Sequence, residues 1–117
     1  MSKVKKQLSN LELSAFCQQI AMILKTGLPA YYGISILCDE AADENTKEFL
    51  EKIYKPMEQG STLYETIKDT EYFPRYMVNM IKLGEETGHL EDVLTALSNY
   101  YEREESIKAN ISASLTY

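Results

Sequence analysis

The 117-residue chain is long enough for one domain with its own core, and 44% hydrophobic with 26% charged residues is ordinary for a globular protein. Its net charge is −6, and because Lys3, Lys5 and Lys6 precede the first acid, Glu12, the rest of the chain sets nine positives against eighteen negatives. Such an acidic body excludes the clustered Lys and Arg of a nucleic-acid footprint; no apolar run nears the ~20 residues that span a membrane, and no signal-peptide pattern follows the N-terminal lysines.

Met1 to Leu11 reads as a basic flexible tail in which Asn10 could N-cap a helix, and residues 12–117 read as a single helical domain. The first helix is expected from Leu11 to about Thr26, where Leu13, Phe16, Cys17, Ile20, Ile23 and Leu24 trace a wide apolar face. Gly27 caps it. Pro29 opens a second helix to about Ala42, with Tyr31, Ile34, Leu37, Cys38 and Ala41 in period. Cys17 and Cys38 lie at similar heights in this hairpin and are expected as two buried thiols in a reducing compartment. A polar connection from Asp39 to Asn45 leads to a third helix over Glu44–Gln59, with Phe49, Leu50, Ile53, Tyr54 and Met57 inward. Pro56 predicts a kink or an end near Lys55. Gly60 then caps, Ser61 can N-cap, and Leu63, Tyr64 and Ile67 make a short fourth helix ending near Thr70.

The richest stretch is Phe73 to Tyr101. Pro74 suits the start of a fifth helix, whose Tyr76, Met77, Met80 and Ile81 share a face. Gly88 ends it as a left-handed cap would. A sixth helix runs from Leu90 to the last residue with a stripe of Leu90, Val93, Leu94, Leu97, Tyr101, Ile107, Ile111 and Leu115, and with Glu91 and Asp92 at its positive end. Gly84 costs about 1 kcal/mol inside a helix, so another backbone should approach it. Glu85 and Glu86 stand where the helix dipole disfavours anions, so the start of the next helix, a lysine, a partner's basic residue or a cation should offset them. The class is all-α: a six-helix bundle of three helix–glycine–helix hairpins turning at Gly27, Gly60 and Gly88.

Signs of chemistry are few. His89 is the sole histidine and stands without metal-ligand or triad spacing. Gly84-x-x-x-Gly88 lacks the strand and the Lys-Ser/Thr of a phosphate loop. Of three carboxylate clusters, the set Glu85, Glu86, Glu91 and Asp92 around Gly88 is the best place for a divalent cation, though no EF-hand spacing is present; otherwise no cofactor is expected. No enzyme is read. Tyr31-Tyr32 and Tyr100-Tyr101 each put one ring inward and leave one more exposed, which suits either a protein contact or a half-buried core ring with a wet hydroxyl. The partner or dimer surface is therefore placed at Gly84, Glu85, Glu86, Gly88, Leu90, Tyr100 and Tyr101.

These residues carry a resemblance. Phe73-Pro74, Gly84-Glu85-Glu86-Thr87-Gly88-His89-Leu90, Val93-Leu94 and Tyr100-Tyr101-Glu102 resemble the helical cytoplasmic domain of the inner-membrane platform protein of bacterial type II secretion and type IV pilus machines, the type II secretion protein F domain. Phe16 to Leu37, with its Gly27-Leu28-Pro29, and Gly60-Ser61-Thr62-Leu63 match the same family. The resemblance implies a domain at the cytoplasmic face of the inner membrane, cut before a transmembrane segment. It also implies contacts with an assembly ATPase, with pilin-like subunits and with other inner-membrane components, and self-association. Two other classes fit the residues: a soluble helix-hairpin scaffold, although the tetratricopeptide pattern and period are missing, and a divalent-cation-regulated binding module.

Overall fold

The computed structural model describes residues 7–116, with side chains to residue 108. It contains α1 (Asn10–Lys25), α2 (Ala30–Asp39), α3 (Glu44–Glu58), α4 (Leu63–Ile67), α5 (Arg75–Thr87) and α6 (Leu90–Thr116), and no strand among the described residues. The all-α expectation holds. Residues 1–6 of the expected tail lie outside this range, as do the side chains of Ile111 and Leu115.

The helix ends follow short-range chemistry. α1 is capped by Ser9, not Asn10, because Ser9 and Glu12 form a reciprocal capping box: Glu12 N–H donates to Ser9 Oγ at 3.1 Å and Ser9 N–H to Glu12 Oε1 at 2.8 Å. Leu8 N–H also donates to the Tyr72 carbonyl at 3.1 Å, so the chain is held before the helix begins. Thr62, not Ser61, caps α4, for the same reason: Glu65 stands three residues on and closes a second box. Pro56 does not stop α3. It falls in the last turn, and its carbonyl accepts the Ser61 N–H at 2.9 Å while Met57 O accepts from Gly60, the paired bonds of a Schellman end. Gly27, Gly60 and Gly88 all have positive φ.

The helices close on themselves. Each packs on its chain neighbours, and α6 returns to pack on α1 along the most extensive seam in the molecule. Ser14 meets Ser98 and Cys17 lies beside Tyr101, so α1 and α6 advance together and run parallel. Tyr31 against Tyr54, with Cys38 beside Glu51 and Lys47, makes α2 and α3 antiparallel. The glycine turns thus separate contacting helices, but the architecture is a ring in which α1·α6 and α2·α3 outweigh the partners across each turn.

Leu13, Phe16, Cys17 and Ile20 of α1 meet Leu94, Leu97 and Tyr101 of α6 in one core with Ile34, Ile53, Leu63, Ile67, Met77 and Ile81. Phe73 bridges Phe16 (5.0 Å between ring centroids) and Phe49 (5.9 Å), tying the loop before α5 to α1 and α3. Buried Ser14 Oγ donates to the Ser98 carbonyl at 2.9 Å, so the seam's polar group is satisfied. Tyr76 and Ile107 leave their expected stripes: each is about half exposed. Thirteen residues beyond Leu94, at 3.6 residues per turn, Ile107 points about 140° away from α1.

Two glycines set helix separations. A Cβ on Gly84 would lie 3.1 Å from Leu90 Cα and 3.0 Å from Val93 Cγ2, which is the close backbone approach expected there. Gly33 plays the same part between α2 and α1, where a Cβ would lie 3.1 Å from Ile20 Cα. Because the neighbour is backbone in both cases, the clash outweighs the ~1 kcal/mol helix-propensity gain of alanine. Gly84→Ala and Gly33→Ala should each lower stability by about 1–2 kcal/mol in urea titrations; unchanged midpoints would refute the close-packing role. Burial pushes the Cys17 thiol up to about 12. With thiolate scarce and no exposed surface, Cys17 should resist maleimide in the native chain and react at once in denaturant.

Candidate functional site

The α4–α5–α6 corner gathers most of the residues singled out from sequence. α4 has only five residues, far below the length at which a helix is stable alone, so its backbone donors need outside partners. They are all met. Thr62 Oγ1 accepts from Glu65 N–H at 3.0 Å, and Glu65 Oε1 accepts from Thr62 N–H at 2.9 Å. The two donors between them, Leu63 N–H and Tyr64 N–H, reach Glu85 Oε2 at 2.8 Å and Oε1 at 2.9 Å. A carboxylate that is badly placed for its own helix dipole is well placed for that of α4.

The rest of the corner is built around this contact. Lys82 Nζ sits 5.3 Å from the Tyr64 ring centroid and Lys68 Nζ 5.5 Å from it, so two cations hold this ring of the first turn of α4. Gly84 O accepts from His89 N–H at 2.8 Å and from Gly88 N–H, so the α5 end is closed by its own left-handed glycine. Gly84 also seats Leu90 and Val93 at the opening of α6. His89 Nδ1 lies 3.8 Å from Asp92 with both side chains exposed, a weak pair.

The candidate residues therefore divide. Gly84 and Tyr101 are buried, Glu85 is half-buried on α4, and Leu90 is half-buried. Glu86, Gly88 and Tyr100 are exposed. Tyr101 lies against α1, and burial pushes its hydroxyl up to about 12. Tyr100 is the outward member of its pair, and Tyr32 that of the other. Tyr100 touches Tyr76 of α5 with ring centroids 5.4 Å apart, and Leu83, two turns along from Tyr76, is half exposed. Tyr76 and Leu83 extend the outer face; Tyr76 was read from sequence into the inward stripe because its helical period looks like core, and Leu83 was assigned to no face. No three His, Cys, Asp or Glu side chains among the described residues come together as a metal ion would require. Glu85, Glu86, Glu91 and Asp92 stand around the turn without converging. Nor does any described helix have the length and apolarity to cross a membrane.

What the corner offers is surface: the Tyr76–Tyr100 pair beside carboxylates, on a turn closed by Gly88. Residues 16–117 match the family model for type II secretion system (T2SS), protein F. Type IV pilus assembly protein PilC of Pseudomonas aeruginosa is 26% identical over 96% of the chain, and that of Thermus thermophilus 27% over 91%. Type II secretion system protein F of Xanthomonas campestris pv. campestris is 29% identical over 97%. The chain spans 26–30% of the length of these relatives. With the match running from α1 through α6, the chain belongs to the type II secretion system protein F family.

Proposed function

We propose that this chain is a helical domain at the cytoplasmic face of an inner-membrane platform protein in a type II secretion or type IV pilus assembly system. It takes motion from an assembly ATPase and passes it towards pilin-like subunits and other membrane components by protein contacts. It self-associates, binds no nucleic acid and performs no bond-making itself. The observation that carries this reading is that nearly all of the chain matches a part of relatives named for pilus assembly and for secretion. The ring of helices supports it, because a load on one helix is shared with two neighbours.

The contact surface proposed is the outer face of the α5–α6 corner: Tyr76, Leu83, Glu86, Gly88 and Tyr100, braced from inside by Gly84, Glu85, Leu90 and Tyr101. Neighbouring glutamates then separate two roles. Glu85→Ala strands two α4 donors and should cost about 1–3 kcal/mol in urea unfolding, while Glu86→Ala should stay within about 0.5 kcal/mol. Conversely, Glu86→Lys with Tyr100→Ser should leave helicity and unfolding midpoint in place. It should weaken self-association in sedimentation, and capture of a purified assembly ATPase of such a system, by about tenfold or more. Wild-type levels of both in that variant would remove the surface from this corner.

A further inference from the structure

A second surface lies elsewhere on the ring. Leu8, Leu37, Phe49 and Tyr72 are each only half-buried, and all open into one groove of about 770 Å³ floored by Phe16 and Leu50. The N-terminal end of α1, the C-terminal end of α2 and the start of α3 form its walls. Ala15, Ala41 and Ala42 keep it open, because small side chains line it where larger ones would fill it. None of its lining residues belongs to α5 or α6.

Its rim has one sign of charge. Glu12, Glu40 and Asp43 line it, and among the described residues no Lys or Arg does. Two of these carboxylates are held in place: Glu12 accepts from Ser9 N–H at 2.8 Å and Asp43 from Thr46 N–H at 2.7 Å. Each is an N-terminal cap contact, so the anions are fixed before anything binds. They are also spread apart, since no three acidic, His or Cys side chains among the described residues gather at one point. Separated anions suit several separate cations better than one metal ion. The groove has no strand edge to extend, so recognition must come from side chains laid into it.

We propose that this groove docks an amphipathic helical segment of a partner protein, with two or three large apolar side chains on the Phe16–Leu50 floor and flanking Lys or Arg on the Glu12, Glu40 and Asp43 rim. Apolar burial supplies affinity, and the rim selects the sign of the flanks and steers encounter. The assignment is independent of the family-based reading of the α5–α6 corner, and each can fail alone.

The test is a titration of the ¹⁵N-labelled chain with a synthetic amphipathic peptide of about four helical turns carrying Leu and Phe on one face and Lys at both flanks. A peptide with Glu in place of Lys is the control. The Lys peptide should shift the amides of Ala15, Leu37, Ala42 and Phe49 with Kd of ~10–100 µM, in the range of transient contacts. Ala15 is exposed on α1, so Ala15→Trp fills the groove without entering the core. It should weaken binding about tenfold or more at unchanged circular dichroism, and Glu40→Gln by about threefold. Glu86→Lys with Tyr100→Ser should leave this binding unchanged. Equal binding of both peptides, shifts confined to α5 and α6, or indifference to Ala15→Trp would overturn the proposal. So would binding that appears only after removal of residues 1–6, because the groove would then belong to the chain's own lysine-bearing leader.

Discussion

The contact of the Glu85 carboxylate with the first turn of α4 is the constraint on which this half of the molecule depends. A five-residue helix fixes several residues for very few hydrogen bonds and has almost no stability of its own. Here it forms because its exposed donors have partners before any packing is counted: two within its own capping box and two on Glu85. Once fixed, α4 turns Leu63 and Ile67 into the core, both fully buried. It also links α3 to α5, and without it the ring of helices would be open between them. One carboxylate thus joins electrostatics at a helix end to closure of the whole fold.

The opposite closure, α6 onto α1, is apolar and built differently. Leu94, Leu97 and Tyr101 lie along α1 at the helical period, and two buried serines there, Ser14 and Ser98, satisfy one another. Gly33 and Gly84 then set how closely α2 approaches α1 and α5 approaches α6. Both sit where a methyl group would press on backbone, so neither spacing can relax by a change of rotamer. The ring is consequently specified by two backbone contacts and two seams, not by a generic excess of apolar area.

What could be read from the residues alone was whatever is local. Helical period, the left-handed turns at Gly27, Gly60 and Gly88, the inward ring of each Tyr pair and a close approach at Gly84 are all short-range properties, and the structure has them. The capping boxes were equally local: Ser9-x-x-Glu12 and Thr62-x-x-Glu65 carry the signature, which is why Asn10 and Ser61 lose the cap positions. Harder to see were contacts between distant residues. The misplaced charge of Glu85 was visible, but its partner lies 21 residues earlier in the chain, and nothing local named it. Gly33 looked like any glycine in an apolar helix. Glu71 takes a positive φ with no glycine to announce the turn. The outward placement of Tyr76 and Ile107 followed from which helix lies beside each face, a property of topology. The groove belongs to the same class, since it exists only where α1, α2 and α3 converge.

The proposed force-transmitting role carries a physical requirement that can be set against this architecture. Deforming the body must cost more than moving it, yet a domain of this size is held by only about 5–15 kcal/mol in total. Linear stacks of helices meet that requirement poorly, because an end helix is restrained on one side only. In a closed ring each helix has two seams, and displacing any one of them breaks both. Bound partners add to this in the same currency, since a segment that binds only the folded ring stabilises it by mass action. A platform domain built this way would be stiffest when its surfaces are occupied. The load would then travel through the fixed Glu85–α4 contact and the α1–α6 seam, the two places where the ring is tied shut.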